Sequence, residues 1–301
     1  MSKKIKILIA GGTGFIGSFL AKECLKKKWQ VDILSNKKIF KSKKNKKVNY
    51  IICDISNFKK LKRKIKPNYD YVINLTGYIE HTSKKKTFQV HYNGCKNLAN
   101  IFKNRFPKSF VQVGSSLEYG KLKSPHKENN FVKKINLKTN YASAKFLATK
   151  HILNLCKENN FPGVIIRFYQ VYGQGQRKER IIPFVIDCCK KNKKFPCSSG
   201  IQSRDFLYVS DAVNAIFKIF NSKKKIYGEI FNIGYGKAIQ IKKVILLIKK
   251  IVKKGIPMFG KIKLRKEESL VFFPNIAKAK KLLNWRPKIS LNTGIKLAIR
   301  N

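Results

Sequence analysis

The stretch Ile5–Gly17, IKILIAGGTGFIG, decides the fold of this 301-residue chain. An apolar run of strand length ends in a glycine turn, and apolar residues recur at helical spacing from Phe15 onward. Three of its glycines have distinct roles in a strand–turn–helix unit: Gly11 permits a tight turn, Gly14 lets the backbone approach a pyrophosphate, and Gly17 lets the helix pack against the strand. The pattern predicts a dinucleotide-binding loop. Its expected contact residues are Gly11, Thr13, Gly14, Phe15, Ile16 and Gly17.

The alternation of short apolar runs with helix-like segments continues along the chain. Further strands are predicted near 30–35, 48–53, 70–75, 109–113 and 163–168. Such alternation indicates an α/β fold, a Rossmann-type doubly wound parallel sheet covered on both faces. Glycine and proline become frequent beyond about residue 170, which predicts a smaller C-terminal substrate-binding lobe. We therefore expect a cofactor domain over 1–168, joined again by 205–235, and a substrate lobe over most of 169–301.

The net charge of +52 invites a nucleic-acid interpretation, but the residue types argue against it. Only 9 of the 67 basic residues are arginine, the residue on which base recognition depends, and no nucleic-acid-binding module is visible. Abundant lysine, isoleucine and asparagine are what an AT-rich coding sequence gives. We expect solvated surface lysines and no nucleic-acid partner.

The remaining composition indicates a cytoplasmic protein without a membrane segment or metal site. The apolar runs are too short for a signal peptide or a membrane span. The seven cysteines are scattered, odd in number and lack zinc-like spacing, which favours reduced thiols.

The end of the second strand bears on the choice between NAD and NADP. Ser35 stands where an NAD site usually places a carboxylate for the ribose hydroxyls. Ser35, Asn36 and Lys37 would instead accept a 2′-phosphate, so we predict NADP over NAD. The alternative is that the lysines here only reflect a lysine-rich chain. Asp54, followed by Ile55, is predicted to bind the adenine amino group, with helix capping as its competing role.

Tyr141 and Lys145, in the segment YASAK, form the candidate catalytic pair. They are four residues apart on a predicted helix and so lie on one face. A free tyrosine titrates near pH ~10, and a neighbouring ammonium favours its phenolate. A serine pair, Ser115 and Ser116, follows the fifth strand.

These motifs together resemble the extended short-chain dehydrogenases/reductases, specifically the NAD-dependent epimerase/dehydratase family of nucleotide-sugar enzymes. The resemblance rests on GGTGFIG, Asp54, NLTG at Asn74–Gly77, GSSLEYG at Gly114–Gly120, YASAK, RFYQVYGQGQ at Arg167–Gln176 and RDFLYVSDAV at Arg204–Val213.

The resemblance implies roles for individual residues. Tyr141 would exchange a proton with a sugar oxygen, usually at C4, while Lys145 tunes it and holds the nicotinamide ribose. Ser116 would hydrogen-bond the same sugar oxygen. Residues implied to bind cofactor after the fourth strand are Leu75, Thr76 and Gly77. Those implied to bind the nucleotide sugar are His81, Ser115, Ser116, Gln170, Arg204 and Arg265. A homodimer pairing helices near 88–105 and 139–159 is also implied.

Two departures from the family pattern leave alternatives open. His91 replaces the family's asparagine and is either a proton relay or a packed histidine. Glu118 is either the carboxylate that removes the sugar C5 proton in dehydratases or a structural hydrogen-bonding group.

We therefore expect an epimerase or dehydratase that works through a 4-keto intermediate. An NADPH-dependent reductase of 4-keto-6-deoxy sugar nucleotides is the alternative enzyme. A non-catalytic cofactor- or RNA-binding protein is the alternative of another class.

Overall fold

The computed structural model describes residues 4–38, 44–80, 82–129, 137, 139–264 and 269–300. His81 and Arg265, both predicted to bind substrate, lie outside the described residues. The strands are β1 Lys6–Ala10, β2 Gln30–Ser35, β3 Val48–Ile52, β4 Tyr71–Asn74, β5 Ser109–Val113, β6 Gly163–Phe168, β7 Gln170–Tyr172, β8 Lys194–Pro196, β9 Ser203–Arg204, β10 Phe206–Tyr208, β11 Ile230–Ile233, β12 Ile239–Gln240, β13 Ile256–Met258 and β14 Val271–Phe272. The helices are α1 Phe15–Lys26, α2 Phe58–Lys64, α3 Lys84–Phe88, α4 Gly94–Ile101, α5 Asn140–Asn159, α6 Ile181–Lys190, α7 Val209–Phe220, α8 Ile241–Val252, α9 Ala277–Leu283 and α10 Leu291–Ile299.

Seven strands form one central sheet in the order β11-β6-β5-β4-β1-β2-β3. Every neighbouring pair from β6 to β3 is parallel, which confirms the predicted doubly wound α/β fold. The strand order reverses between β1 and β4. In such sheets ligands bind outside the carboxyl ends of the strands at this switch point.

The core of the sheet follows from the sequence of its strands. Residues Ile7–Ala10 of β1 are fully buried, as a central parallel strand covered on both faces requires. Helix α1 places Leu20 and Cys24 in this core. One carboxylate is also buried here: Asp32 accepts a 2.6 Å hydrogen bond from the Tyr69 hydroxyl.

The chain divides into two compact units. Unit 1 comprises Met1–Gly120, Val132–Phe168 and Val213–Phe231, and unit 2 comprises Lys121–Phe131, Tyr169–Ala212 and Asn232–Asn301. Unit 1 contains the strands β1 to β6 with their covering helices α1 to α5.

Unit 2 contains three small sheets, β10-β7, β12-β9-β14 and β13-β8. Buried carboxylates fix its loops. Asp205 accepts three backbone hydrogen bonds from residues 235–237, at 2.6–3.2 Å. Asp211 accepts from the backbone of Lys288 and Ile289, and Glu128 accepts from the backbone of Asn232. These carboxylates accept the hydrogen bonds that the backbone N–H groups would otherwise donate to water.

All seven cysteines are free thiols, and Cys188 and Cys189 are buried on α6 as predicted. No group of three or more histidine, cysteine or acidic residues suited to a metal ion occurs among the described residues. Within the same residues, no helix has the length and apolar character needed to cross a membrane.

Candidate active site

The glycine turn between β1 and α1 has the geometry of a phosphate-binding loop. Gly11 has φ +80°, and a Cβ atom there would lie 2.8 Å from the carbonyl of Leu75. Gly17 leaves no room for a Cβ beside the Gly11 carbonyl. The loop therefore depends on glycine for both its conformation and its packing.

The N-terminus of α1 fits an anionic group. Its N-cap, Gly14, provides no side-chain cap, and the first turn, which includes Phe15 and Ile16, carries no acidic residue. The first backbone N–H groups and the positive end of the helix dipole are thus available to a pyrophosphate. Thr13, exposed in the turn, lies 3.5 Å from the Ser35 hydroxyl through its Oγ1 atom.

At the end of β2, Ser35 is buried and its hydroxyl is held by its own chain. The hydroxyl donates to the Lys37 carbonyl and accepts from the Lys37 N–H, both at 3.2 Å. Asn36 and Lys37 are exposed. Asp54 is exposed, and one of its oxygens accepts from the backbone N–H and the hydroxyl of Ser56 at 2.8 Å. Ile55, next to it, is buried.

Beside this region lies a cavity of about 860 Å³ within unit 1. Its charged and polar lining includes Asn36, Asp54, Lys60, Arg63 and Lys64. Three cations thus face one carboxylate. The sequence pattern does not single out these three cations, because a lysine-rich helix such as α2 is not distinctive in this chain.

Tyr141 and Lys145 lie in the first two turns of α5, which Thr139 caps by accepting from the Ala142 N–H. The Lys145 ammonium is buried, donates to the Val113 carbonyl at 2.7 Å and lies 5.9 Å from the centre of the Tyr141 ring. Burial lowers the pKa of Lys145 to about 8, although the negative charge of Glu118 acts to raise it. The predicted pair is therefore close together, and the Lys145 ammonium loses its proton at a lower pH than an exposed lysine does.

The serine pair lies on a 3₁₀ turn, Ser116–Tyr119, that begins at the carboxyl end of β5. Ser115 caps this turn by accepting from the Leu117 N–H at 3.2 Å, and Ser115 and Ser116 are both buried. Leu117 projects outward with 44% of its surface exposed, whereas Glu118 turns inward and is 1% exposed.

Both carboxylate oxygens of Glu118 have protein partners. One accepts from the Ser115 N–H at 2.6 Å, and the other accepts from Nε and Nη2 of Arg167 at 3.2 and 2.9 Å. The Arg167 guanidinium also covers the Tyr119 ring at 4.5 Å. These contacts match the structural interpretation of Glu118, which the sequence left open beside the catalytic one.

The segment after β4 runs past the glycine turn. The Leu75 N–H bonds to the Ala10 carbonyl at 2.8 Å, and Thr76 donates through its N–H and hydroxyl to Asn74. Gly77 follows, next to the ring of His91. Leu75 and Thr76 therefore lie beside the glycine turn, and cofactor binding by Leu75, Thr76 and Gly77 stays a prediction.

Unit 2 contains a cavity of about 460 Å³ that brings together two predicted substrate residues, Gln170 and Arg204. The Arg204 guanidinium is anchored through Nη1 to the carbonyls of Ser203 and Ser269, both at 2.8 Å. Further polar lining residues, which the sequence pattern does not single out, are Gln176, Glu179, Arg180, Ser198, Gln202 and Lys263. They come from three segments that are distant in sequence, between β7 and α6, between β8 and β9, and after β13, so no local sequence signal joins them.

Comparison with known proteins also indicates a nucleotide-binding enzyme fold of this type. The sequence model of the NAD dependent epimerase/dehydratase family matches residues 7–234. The dTDP-4-dehydro-6-deoxyglucose reductase of Escherichia coli is 27% identical over 100% of this chain and 98% of its own length. The CDP-abequose synthase of Salmonella typhimurium is 25% identical over 96% of this chain and 95% of its own.

Solved structures share the fold. A Thermotoga maritima UDP-glucose 4-epimerase structure with UDP-glucose superposes with a TM-score of 0.89 at 22% identity, covering 98% of this chain and 97% of that one. A Bacillus anthracis dTDP-glucose 4,6-dehydratase complex with NAD gives 0.83 at 21% identity, covering 98% and 96%. With the glycine turn, the Tyr141–Lys145 pair and a family match over most of its length, this chain belongs to the NAD-dependent epimerase/dehydratase family.

Proposed function

We propose that this protein moves a hydride between a nicotinamide cofactor and one carbon of a nucleotide-linked sugar, with Tyr141 exchanging the proton on that carbon's oxygen. The observation that carries the proposal is the buried Lys145 ammonium, which lies 5.9 Å from the Tyr141 ring and donates to the Val113 carbonyl at the carboxyl end of β5, the edge of the sheet that also carries the glycine turn after β1. The nucleotide sugars named for its relatives supply the substrate class.

Each residue has a defined chemical task. The bound cofactor accepts or supplies the hydride. Tyr141 takes the proton from a sugar hydroxyl as it becomes a ketone, or returns it in the reverse direction. The Lys145 ammonium stabilises the phenolate and donates to the ribose hydroxyls. Ser116 donates to the same sugar oxygen, with Ser115 shaping the turn that presents it.

The cavity of unit 2 supports binding of the nucleotide part of the substrate. Its volume falls in the usual range for small-molecule sites, about 300–1,000 Å³. Arg204 presents a forked set of donors that suits a diphosphate, and its anchoring to two carbonyls lowers the entropy cost of using them. Gln170 offers an amide to the sugar. His81 and Arg265 remain proposed substrate residues on the resemblance alone.

The contacts of Glu118 favour reactions without C5–C6 dehydration. A general base needs a free oxygen within reach of the proton it removes. Both Glu118 oxygens are engaged by Ser115 and Arg167, and the exposed side chain of this turn is the apolar Leu117. Epimerisation through a 4-keto intermediate or reduction of a 4-keto sugar is therefore better supported.

The cofactor preference separates these two reactions. We propose NADP, because no carboxylate ends β2 and three cations line the neighbouring cavity. A 2′-phosphate would meet Asn36, Lys37 and the cations Lys60 and Arg63. NADPH consumed as a substrate favours the reductase, the activity named for the Escherichia coli relative.

A screen of UDP-, dTDP-, GDP- and CDP-linked sugars and their 4-keto-6-deoxy forms by mass spectrometry tests the function. NADPH loss matched by reduced sugar supports the reductase, whereas isomerisation with tightly bound oxidised cofactor supports the epimerase. Tyr141→Phe is expected to abolish turnover and keep cofactor affinity. A wild-type protein that binds cofactor but converts none of these sugars would support the non-catalytic class instead.

The cofactor proposal has its own test on α2. Arg63→Ala and Lys60→Ala should weaken adenosine 2′,5′-bisphosphate binding by about tenfold or more and leave 5′-ADP binding unchanged. Lys59→Ala and Lys62→Ala remove the same charge from the same helix outside the cavity lining. Equal losses in all four variants would mean a general charge effect and would refute a 2′-phosphate site.

We further propose a cytoplasmic homodimer that pairs α4 and α5. The support is the set of apolar side chains on α5, Phe146, Leu147 and Leu153, that stay partly exposed. Leu147→Glu is expected to give a monomer by light scattering, and an unchanged mass would refute the pairing. The free thiols agree with a reducing compartment.

A further inference from the structure

We propose that His91 is a positioning residue that joins the loop after β4 to the catalytic Tyr141. Its Nε2 atom hydrogen-bonds to the backbone of this loop, and its ring packs edge-to-face against the Tyr141 ring. The inference rests on the proposed hydride-transfer function, in which Tyr141 handles the proton and the loop contacts the cofactor.

The local helix geometry is the first observation. Residues Gln89–Asn93 form a π-helical turn between α3 and α4, and His91 is at its centre. A π turn carries one residue more than an α turn, is rare, and occurs often at functional sites. The His91 side chain on this turn is buried.

The second observation is the hydrogen bonding of Nε2. This atom lies 3.2 Å from the Tyr78 N–H and 3.3 Å from the Tyr78 carbonyl, and the side chain is only 3% exposed. A histidine nitrogen can accept from the first or donate to the second, depending on its tautomer. In the first case the ring fixes the Gly77–Tyr78 peptide, and in the second it fixes the Tyr78–Ile79 peptide.

The third observation is ring packing. The His91 and Tyr141 rings meet at 4.9 Å and 84°, an edge-to-face contact. Such pairs contribute about 0.5–1.5 kcal/mol beyond area burial and restrict ring orientation. Gly77 also packs against this imidazole, since a Cβ atom there would approach the His91 Cε1 atom to 3.2 Å. The His91 imidazole thus contacts both the loop after β4 and Tyr141.

These contacts predict two separable effects. The nitrogen acts on the loop Leu75–Tyr78 and so on cofactor affinity. The ring acts on the Tyr141 orientation and so on the chemical step. Positioning errors near 1 Å reduce rates by about 100-fold, so the second effect should appear in kcat.

Two variants divide the functions of the imidazole. His91→Phe keeps a ring against Tyr141 but has no nitrogen for Tyr78. His91→Gln keeps a polar atom at the distance of Nε2 but has no ring. We expect His91→Phe to weaken NADH and NADPH binding by about tenfold with kcat within a factor of about two. We expect His91→Gln to reduce kcat by about 10- to 100-fold with nearly normal cofactor binding.

Calorimetry of cofactor binding, steady-state kinetics and the isotope effect with 4-deuterated cofactor make up the experiment. His91→Gln should raise the isotope effect, because a misplaced tyrosine slows the chemical step, and His91→Phe should not. Equal changes of both parameters in both variants, following their melting temperatures, would make His91 a packing residue and overturn the proposal. If no sugar is turned over, the proposed function fails, while the loss of cofactor affinity in His91→Phe alone still tests the loop contact.

Discussion

Glu118→Gln tests how much the buried ion pair beneath the serine turn contributes to stability. The side chains of Glu118 and Arg167 are 0% and 1% exposed, and two guanidinium nitrogens donate to one carboxylate oxygen. Glutamine preserves the shape but removes the charge, which leaves a buried guanidinium without its counter-ion. Breaking such a pair costs about 3–5 kcal/mol, a large part of the ~5–15 kcal/mol stability of an average protein.

Urea unfolding followed by the fluorescence of Trp29, which packs on Tyr71 in the same unit, measures this loss. Glu23→Gln is the matched control, because Glu23 forms an exposed pair with Lys26 and should change stability by less than about 1 kcal/mol. Glu118→Gln combined with Arg167→Met removes both charges and should recover part of the loss. A Glu118→Gln protein within about 1 kcal/mol of wild type would refute the assignment of the pair as a main support of this turn.

Three further predictions concern the site and the surface. Burial lowers the Lys145 pKa to about 8, so kcat/KM should fall as the ammonium is lost above that pH. Lys145→Arg should move this alkaline limb to higher pH, and an unmoved limb would exclude Lys145 as its source. The pKa of Lys145 is about 8 in the native state and 10.5 in the unfolded state, so between these pH values the native state binds fewer protons at this residue. The contribution of Lys145 to the free energy of unfolding therefore rises with pH across that range. Gly11→Ala places a Cβ atom at φ +80° against Leu75 and should cost about 1–3 kcal/mol and abolish cofactor binding, as differential scanning and calorimetry would show; normal binding would contradict a strained glycine turn. DNA retention by the +52 surface should fall steeply with salt and show no preference among sequences, whereas a salt-resistant, sequence-selective complex would require a dedicated nucleic-acid site.

The central sheet could be predicted closely from the sequence. The six strands expected before residue 168 all form, with bounds within two residues of those expected. Most of these strands are buried, so each is a short, largely apolar run bounded by turn residues, and β3 at the edge of the sheet is only partly buried. The glycine turn and the Tyr141–Lys145 spacing could be predicted equally well from the sequence, because both are set by residues close together in the chain.

The direction of Glu118 could not be predicted. In GSSLEYG, Leu117 and Glu118 are neighbours, and hydropathy alone would bury the leucine. The 3₁₀ turn reverses this, because the Ser115 cap and the Arg167 partner on β6 pull the carboxylate inward. Arg167 is 49 residues away in sequence, so the charge that decides the matter is invisible locally.

The π turn and the unit 2 cavity could not be predicted from the sequence, for related reasons. An extra residue per turn at Gln89–Asn93 leaves no mark in a helical hydrophobic pattern. The cavity is lined by residues of β7 and β9, strands of three and two residues that are too short to show periodicity, and of loops distant in sequence. The NADP preference, the homodimer and the domain boundaries remain predictions.

The few acidic side chains of this chain have a practical consequence for protein engineering. Among the described residues, Asp32, Glu118, Glu128, Asp205 and Asp211 are buried, and each has an internal hydrogen-bonding partner. The excess lysines, in contrast, occupy exposed positions on helices such as α2 and α8. Charge and architecture are therefore separable in this protein. Exposed lysines outside the cavity linings, such as those on α8, can be replaced by glutamate to reduce nonspecific binding to polyanions, while the five internal carboxylates are kept unchanged.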